Sequence, residues 1–196
     1  LNHDRKLDLV LSHSDNRVQV YHYDGRKISA EPALELPSLG PAEIESADLN
    51  RDGELDLVLA NPGSEDQQVS FIYWGSSNGF SPDNRLALPT LAARAVAVAD
   101  FNSDGLEDVA FGNWRDSKTS NVDTYIYWNH QAGFDAAYRA HLQGFGVRHM
   151  AAADLNDDSH PELVLINGIS ESIDGSGLPG TLIYWGNPRA HYSTAS

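Results

Sequence analysis

Two stretches of the chain place oxygen-bearing side chains at a spacing that suits a hard cation, and a third does so with changes. In Asp48-Leu49-Asn50-Arg51-Asp52-Gly53-Glu54-Leu55-Asp56, side-chain oxygens fall at loop positions one, three, five and nine. Glu54, at position seven, can offer its main-chain carbonyl, and Gly53 at position six permits the sharp turn that wraps the loop round a point. Calcium takes six to eight oxygens at roughly 2.3–2.6 Å, so this donor set in one tight loop points to Ca2+. The pattern returns as Asp100, Asn102, Asp104, Gly105, Leu106 (carbonyl) and Asp108. A third copy has Asp154, Asn156, Asp158, His160 at the carbonyl position and Glu162, with Ser159 in place of the glycine. Glu162 is a legitimate oxygen ligand, one methylene longer than Asp. A truncated fourth keeps Asn2, Asp4 and Asp8, with Arg5 in the glycine position, Lys6 beside it, and its first ligand outside the chain.

These loops are not EF-hands. Position twelve there is a bidentate Glu, whereas Leu59 and Phe111 occupy it here, and the flanks are strand-like. Asp and Asn with Gly also favour ordinary turns, so a metal-free Asx-rich hairpin is the alternative. Three carboxylates in one turn repel each other, and a cation resolves that conflict.

The elements that position the loops form a repeat. Asp48 to Asp100 is 52 positions and Asp100 to Asp154 is 54. A second word follows each loop: Phe71 to Gly75 (FIYWG), Tyr125 to Asn129 (YIYWN), Leu182 to Gly186 (LIYWG), and a weaker VYHYDG at Val20 to Gly25. The intervening runs are short, apolar and bounded by Asp, Asn and Gly, as strands are, and no stretch has a helical period. Asn78-Gly79 and Asp24-Gly25 are hairpin turns. Each unit is therefore four antiparallel strands, with the Asp loop between the first two and the Tyr-Trp word on the third.

A four-stranded unit of about 50 residues, repeated, predicts an all-β fold: a β-propeller of about four blades. The repeats are 1–40 (lacking its first strand), 41–92, 93–145 and 146–196 (lacking its last), which gives 14 strands and a single propeller region, 1–196. Four complete blades need 16, so the expectation is part of a larger ring of the seven-bladed type, completed by the same or another chain. The Tyr-Trp pairs are expected to pack blade on blade; stacking on a sugar is the other reading.

The words ADLNRDGELDLVLAN (Ala47 to Asn61), ADFNSDGLEDVAFGN (Ala99 to Asn113) and ADLNDDSHPELVLING (Ala153 to Gly168) resemble the FG-GAP/VCBS repeat family, found in integrin α-subunits and many bacterial secreted proteins. The resemblance covers essentially the whole chain. It implies calcium on the hairpin between the first two strands of each blade, a ring that is usually seven-bladed, and an extracellular, periplasmic or cell-surface location. It names no ligand, because the repeat serves adhesins, lectins and accessory domains alike.

Strand direction alternates, so the Asp loops share one face and the connections from second to third strand share the other. Those connections lengthen along the chain: His13 to Arg17, Asn61 to Gln68, Asn113 to Asp123, Asn167 to Gly180. Long loops tend to carry function, and Trp114, Arg115 and Asp116 form an aromatic and charged cluster on one of them. Ordinary loop variation is the alternative. The net charge of −15 argues against nucleic acid and against a polybasic membrane contact. No apolar run is long enough to insert in a membrane. With no cysteine there is no disulfide, thiolate metal site or cysteine nucleophile. No nucleophile elbow, phosphate loop or HExxH occurs. The chain is therefore expected to be a non-enzymatic, calcium-stabilised binding module for a protein or glycan. A propeller domain of a calcium-dependent polysaccharide-degrading enzyme and a purely structural repeat are the alternatives.

Overall fold

In the computed structural model, residues 1–2, 4–64, 66–168, 180–187 and 192–194 are described. They form four antiparallel sheets, each a simple meander. The first holds β1 (Leu9–His13), β2 (Arg17–Tyr21) and β3 (Leu34–Pro37), and the second β4 (Glu43–Ala47), β5 (Asp56–Ala60), β6 (Val69–Tyr73) and β7 (Arg85–Pro89). The third holds β8 (Ala93–Ala99), β9 (Asp108–Asn113), β10 (Thr124–Tyr127) and β11 (Arg139–Leu142). The fourth holds β12 (Val147–Ala153), β13 (Glu162–Asn167), β14 (Thr181–Trp185) and β15 (Ser193–Thr194). These are propeller blades. The last blade differs from expectation: a fourth strand is present, only two residues long, pairing Tyr184 with Thr194 and Trp185 with Ser193. So short a strand leaves no alternating pattern in the sequence.

The same register recurs in every blade. Leu9 faces Tyr21, Leu57 faces Tyr73, Val109 faces Tyr127 and Leu163 faces Tyr184. Strands β5 and β9 are buried along their whole length, which explains their near-continuous apolar runs. The first strands of successive blades, β4, β8 and β12, lie beside one another. The alanines of β8 and β12 suit that crowding, because a methyl group lets neighbouring backbones approach.

Each blade packs on the next through its own core. Val18 and Leu36 meet Leu57, Leu59, Phe71 and Tyr73 between the first two blades. Val58, Ile72 and Leu88 meet Val96, Phe111 and Tyr127 between the second and third. Ala110 and Ile126 meet Met150, Leu163, Leu165 and Tyr184 between the third and fourth. Position two of the Asp loop contributes as well: Leu49 and Phe101 are buried in the cores shared with the following blade, whereas their counterpart Leu155 is exposed. No helix among the described residues is long and apolar enough to cross a membrane.

Candidate functional site

The Asp loops connect β4 to β5, β8 to β9 and β12 to β13, and all three fold alike. In the first of these, Asp48 accepts hydrogen bonds from the Asp52 N–H (3.1 Å) and the Gly53 N–H (3.0 Å). Asn50 Oδ1 accepts from Asp52 N–H, its Nδ2 donates to Asp52 Oδ2, and Asp52 Oδ1 accepts from Glu54 N–H. Asp100, Asn102, Asp104 and the Leu106 N–H reproduce the same bonds. So do Asp154, Asn156, Asp158 and the His160 N–H. Ser159 adopts φ 68° where Gly53 and Gly105 adopt 89° and 87°, so the turn survives loss of its glycine in a strained form. The ring of His160 reaches the neighbouring loop, its Nδ1 lying 2.7 Å from Ser103 Oγ.

Position nine lies at the base of the loop and is fully buried. Asp56 accepts from Leu49 N–H (2.9 Å) and Gly75 N–H (2.8 Å); Asp108 accepts from Phe101 N–H (3.1 Å) and Asn129 N–H (2.7 Å). Glu162 uses its extra length to reach Leu155 N–H at 2.7 Å. Burial pushes the Asp56 carboxyl up to about 6, with the charges of Asp52 and Asp48 adding to it against the two N–H donors. Burial, with Asp104 and Asp100, pushes Asp108 up to about 7. Among the described residues neither carboxylate has a basic partner.

The donors at each loop are all oxygens, and a buried carboxylate whose ionised form lacks a counter-charge fits a hard cation. The carboxylates are directed at main-chain N–H groups, and among the described residues no three His, Asp or Glu side chains converge as ligands do round one ion. At the truncated loop, Asp8 accepts from the Leu1 amine and Tyr23 N–H, the counterparts of the donors at Asp56.

The opposite face gathers Trp114, Arg115 and Asp116 at one cavity of about 420 Å3 between the second and third blades, where Ser64, Gln68 and Arg94 also line it. Trp114 is half-buried, with the Arg94 guanidinium 4.8 Å and the Arg148 guanidinium 5.1 Å from its ring centre. Arg115 is exposed. Asp116 turns back on its own loop: its Oδ1 accepts from Lys118 N–H and Thr119 N–H, both at 2.7 Å, which holds its carboxyl below the usual range.

The Tyr-Trp words serve packing. Tyr73 and Tyr127 are fully buried between blades, and Trp74 stacks on Phe134 of the next blade with ring centres 6.5 Å apart. A further anchor escaped notice in the sequence. In blades two to four an asparagine at the end of the second strand binds the connection that enters the blade: Asn61 Oδ1 accepts from Ser38 Oγ (3.1 Å), Asn113 Oδ1 from Leu91 N–H (2.8 Å) and Asn167 Oδ1 from Phe145 N–H (3.1 Å). The only signal is its recurrence as the last residue of LVLAN, VAFGN and LVLIN.

Comparison with known proteins agrees with the repeat. The FG-GAP-like repeat family matches residues 1–59, 48–111 and 100–165. Mouse phosphatidylinositol-glycan-specific phospholipase D is 30% identical over 154 residues, covering 66% of this chain and 17% of that protein. The human protein of that name is 31% identical over 149 residues, 62% of this chain and 18% of that one. Integrin alpha-5 of Xenopus laevis is 22% identical over 210 residues, 95% of this chain and 18% of that one. The chain thus spans under a fifth of the length of these relatives. With its tandem Asp-loop blades and matches covering most of its length, the chain belongs to the FG-GAP-like repeat family.

Proposed function

We propose that the chain is a calcium-stabilised recognition module, acting outside the cell or at its surface, whose calcium loops staple one face while the other binds a protein or glycan. The carrying observation is the separation of the two ends. Side chains of the Asp loops are bonded into their own turns, whereas Trp114, Arg115 and Arg94 border an open cavity at the far end. A hard ion would be held by Asp48, Asn50, Asp52, Asp56 and the Glu54 carbonyl, and by their counterparts at Asp100 and Asp154. It would supply the positive charge that the buried Asp56 and Asp108 lack.

In this reading the propeller binds and does no chemistry. A further blade packed on the fourth, from the same or another chain, would cover Leu155 as blades three and four cover Leu49 and Phe101. The similarity to an integrin supports an adhesive or recognition role. The test is ligand capture by the folded protein on a panel of glycans and extracellular proteins. Binding that Trp114→Ala abolishes and Asp104→Ala spares is expected. Binding that maps to the Asp-loop face, or turnover of a bound polysaccharide, would overturn the reading.

A further inference from the structure

The cavity at the far end is walled by charge of the wrong sign for so acidic a chain. The net charge is −15, yet Arg94 and Arg115 both line the cavity. Both are exposed, and among the described residues neither guanidinium is in an ion pair or hydrogen bond. Asp116, which also lines the cavity, folds its own loop through Oδ1, and Asp66 lies exposed on the facing loop between the lining residues Ser64 and Gln68.

Arg94 is also held in place. It sits at the β-bulge of β8, between Ala93, paired with Asn113, and Ala95, paired with Gly112. A bulge re-aims the side chain it carries, and this one lies over Trp114. Arg148 occupies the matching bulge of β12 and approaches the same ring. Gly168 makes room for it: a Cβ there would stand 2.4 Å from Trp114 Cζ3 and 2.3 Å from Arg148 Nε. Trp114 is thus fixed from the fourth blade and in turn positions the Arg94 guanidinium.

We propose that this cavity binds the carboxylate of an acidic glycan, a uronic acid unit, with Arg94 and Arg115 as the anion-reading pair and Trp114 and Arg148 as positioning residues. The guanidinium fork matches a carboxylate in two parallel hydrogen bonds. In the rest of the lining Ser64, Gln68 and Ser117 offer hydroxyl and amide groups suited to sugar hydroxyls, beside Pro62, Ala92 and the Trp114 ring, against which a sugar ring can pack. A volume of about 420 Å3 is in the range of small-ligand clefts. The inference rests on the reading of the chain as a recognition module and names its ligand class.

Calorimetric titration tests it with three probes: trigalacturonic acid, its fully methyl-esterified form, and a poly-glutamate peptide. The free acid should bind, and the ester, which keeps the sugar and loses the charge, should bind at least about tenfold more weakly. Arg94→Ala and Arg115→Ala should each weaken the acid about tenfold or more, with Arg94→Lys intermediate because it keeps charge without the fork. Arg26→Ala, on an exposed turn of the first blade, should leave binding unchanged. Raising salt from 0.05 to 0.5 M should weaken it further, since these arginines are exposed. The melting temperature of each variant shows that it is folded. Failure of the folded protein to bind the acid, equal binding of acid and ester, or indifference to both arginine substitutions would overturn the proposal. Tighter binding of poly-glutamate would replace the glycan by an acidic peptide and overturn it too. Binding of the ester alone, lost in Gln68→Ala, would overturn the acidic ligand and leave the recognition module standing.

Discussion

Tyr127 donates its hydroxyl to the carbonyl of Pro89, the last residue of the preceding blade's outer strand. The bond recurs from Tyr73 to Pro37 (2.5 Å) and from Tyr184 to Gln143 (2.7 Å), so in blades two to four one tyrosine clasps the blade before it. Arg139 Nη1 donates to the same Tyr127 oxygen at 2.7 Å, and Arg85 does so to Tyr73. Tyr127→Phe therefore removes two hydrogen bonds, one of them charged, from a buried interface. It should cost about 2 kcal/mol, or roughly 5 °C in Tm. Among the described residues Tyr21, the first-blade counterpart, bonds only Gln19 of its own strand, and Tyr21→Phe should cost under about 1 kcal/mol. Urea denaturation of the two variants checks the contrast; equal losses would show that the clasp is no more than a strand contact.

The sixth position of each Asp loop gives a prediction free of metal. Gly53 has φ 89° and a Cβ there would touch nothing within 4 Å, so Gly53→Ala tests backbone conformation alone. It should destabilise by about 1 kcal/mol. Ser159 already bears that strain at φ 68°, and Ser159→Gly should stabilise by about 0.5–1 kcal/mol. Thermal melts in chelator measure both; a change of the same sign in the two variants would contradict the account.

Much of the fold was legible because equivalent loops demand the same residues at the same spacing. The Asp words set the period, the Tyr-Trp words set the interface, and Trp114 and Arg115 announced the far face. What stayed hidden depends on contacts between blades. Arg94 and Arg148 carry no signal in the sequence, because a bulge has no sequence signature until the register is known. Tyr192 lies outside every repeated word, yet its hydroxyl shares its one proton between Phe101 O (2.9 Å) and Pro161 O (3.2 Å). That repeats what Asn129 Nδ2 does for Leu49 O (2.8 Å) and Glu107 O (3.0 Å). Different side chains from different strand positions satisfy equivalent carbonyls, so alignment of the words cannot find them.

Asn129→Ala should accordingly loosen the second blade from the third. Two main-chain carbonyls lose their donor, one from each blade, and Asn129 is almost fully buried. A loss of about 1–3 kcal/mol is expected, read by urea denaturation. Hydrogen exchange should rise at the loop around Leu49 before the fourth blade responds; uniform loss across all blades would refute the local account.

The buried carboxylates predict a pH dependence in the calcium-free protein. Asp108 titrates at about 7 and Asp56 at about 6 in the fold, raised chiefly by burial; unfolded, both fall near 3.9. The folded state then holds more protons than the unfolded one between about pH 4 and 7, so stability falls as pH rises through that window and levels off above it. Asp108→Asn should flatten the upper part of the slope. Melting temperatures in chelator from pH 4.5 to 8 measure this. A rise in stability over that range that Asp108→Asn leaves unaltered would show that these carboxylates are not the groups responsible.

Calcium should reverse the penalty those carboxylates carry, and Asp104 separates the ion's effect from the loop's own hydrogen bonds. Asp104 Oδ1 accepts from Leu106 N–H and its Oδ2 from Asn102 Nδ2, so Asp104→Ala loses two exposed bonds and one proposed ligand. It also removes a charge that pushes Asp108 up. In chelator these effects oppose, and the variant should melt within a few degrees of the parent. In calcium they diverge. A site held at 100 times its Kd stabilises the fold by about 2.7 kcal/mol, and the variant keeps the Asp48 and Asp154 loops but loses the Asp100 loop. Its calcium-dependent rise in Tm should therefore be about two-thirds that of the parent, and titration calorimetry should count one fewer site. An unchanged calcium affinity in Asp104→Ala, or no response of the parent to chelator at all, would remove the ion from the account and leave the loops as hydrogen-bonded turns.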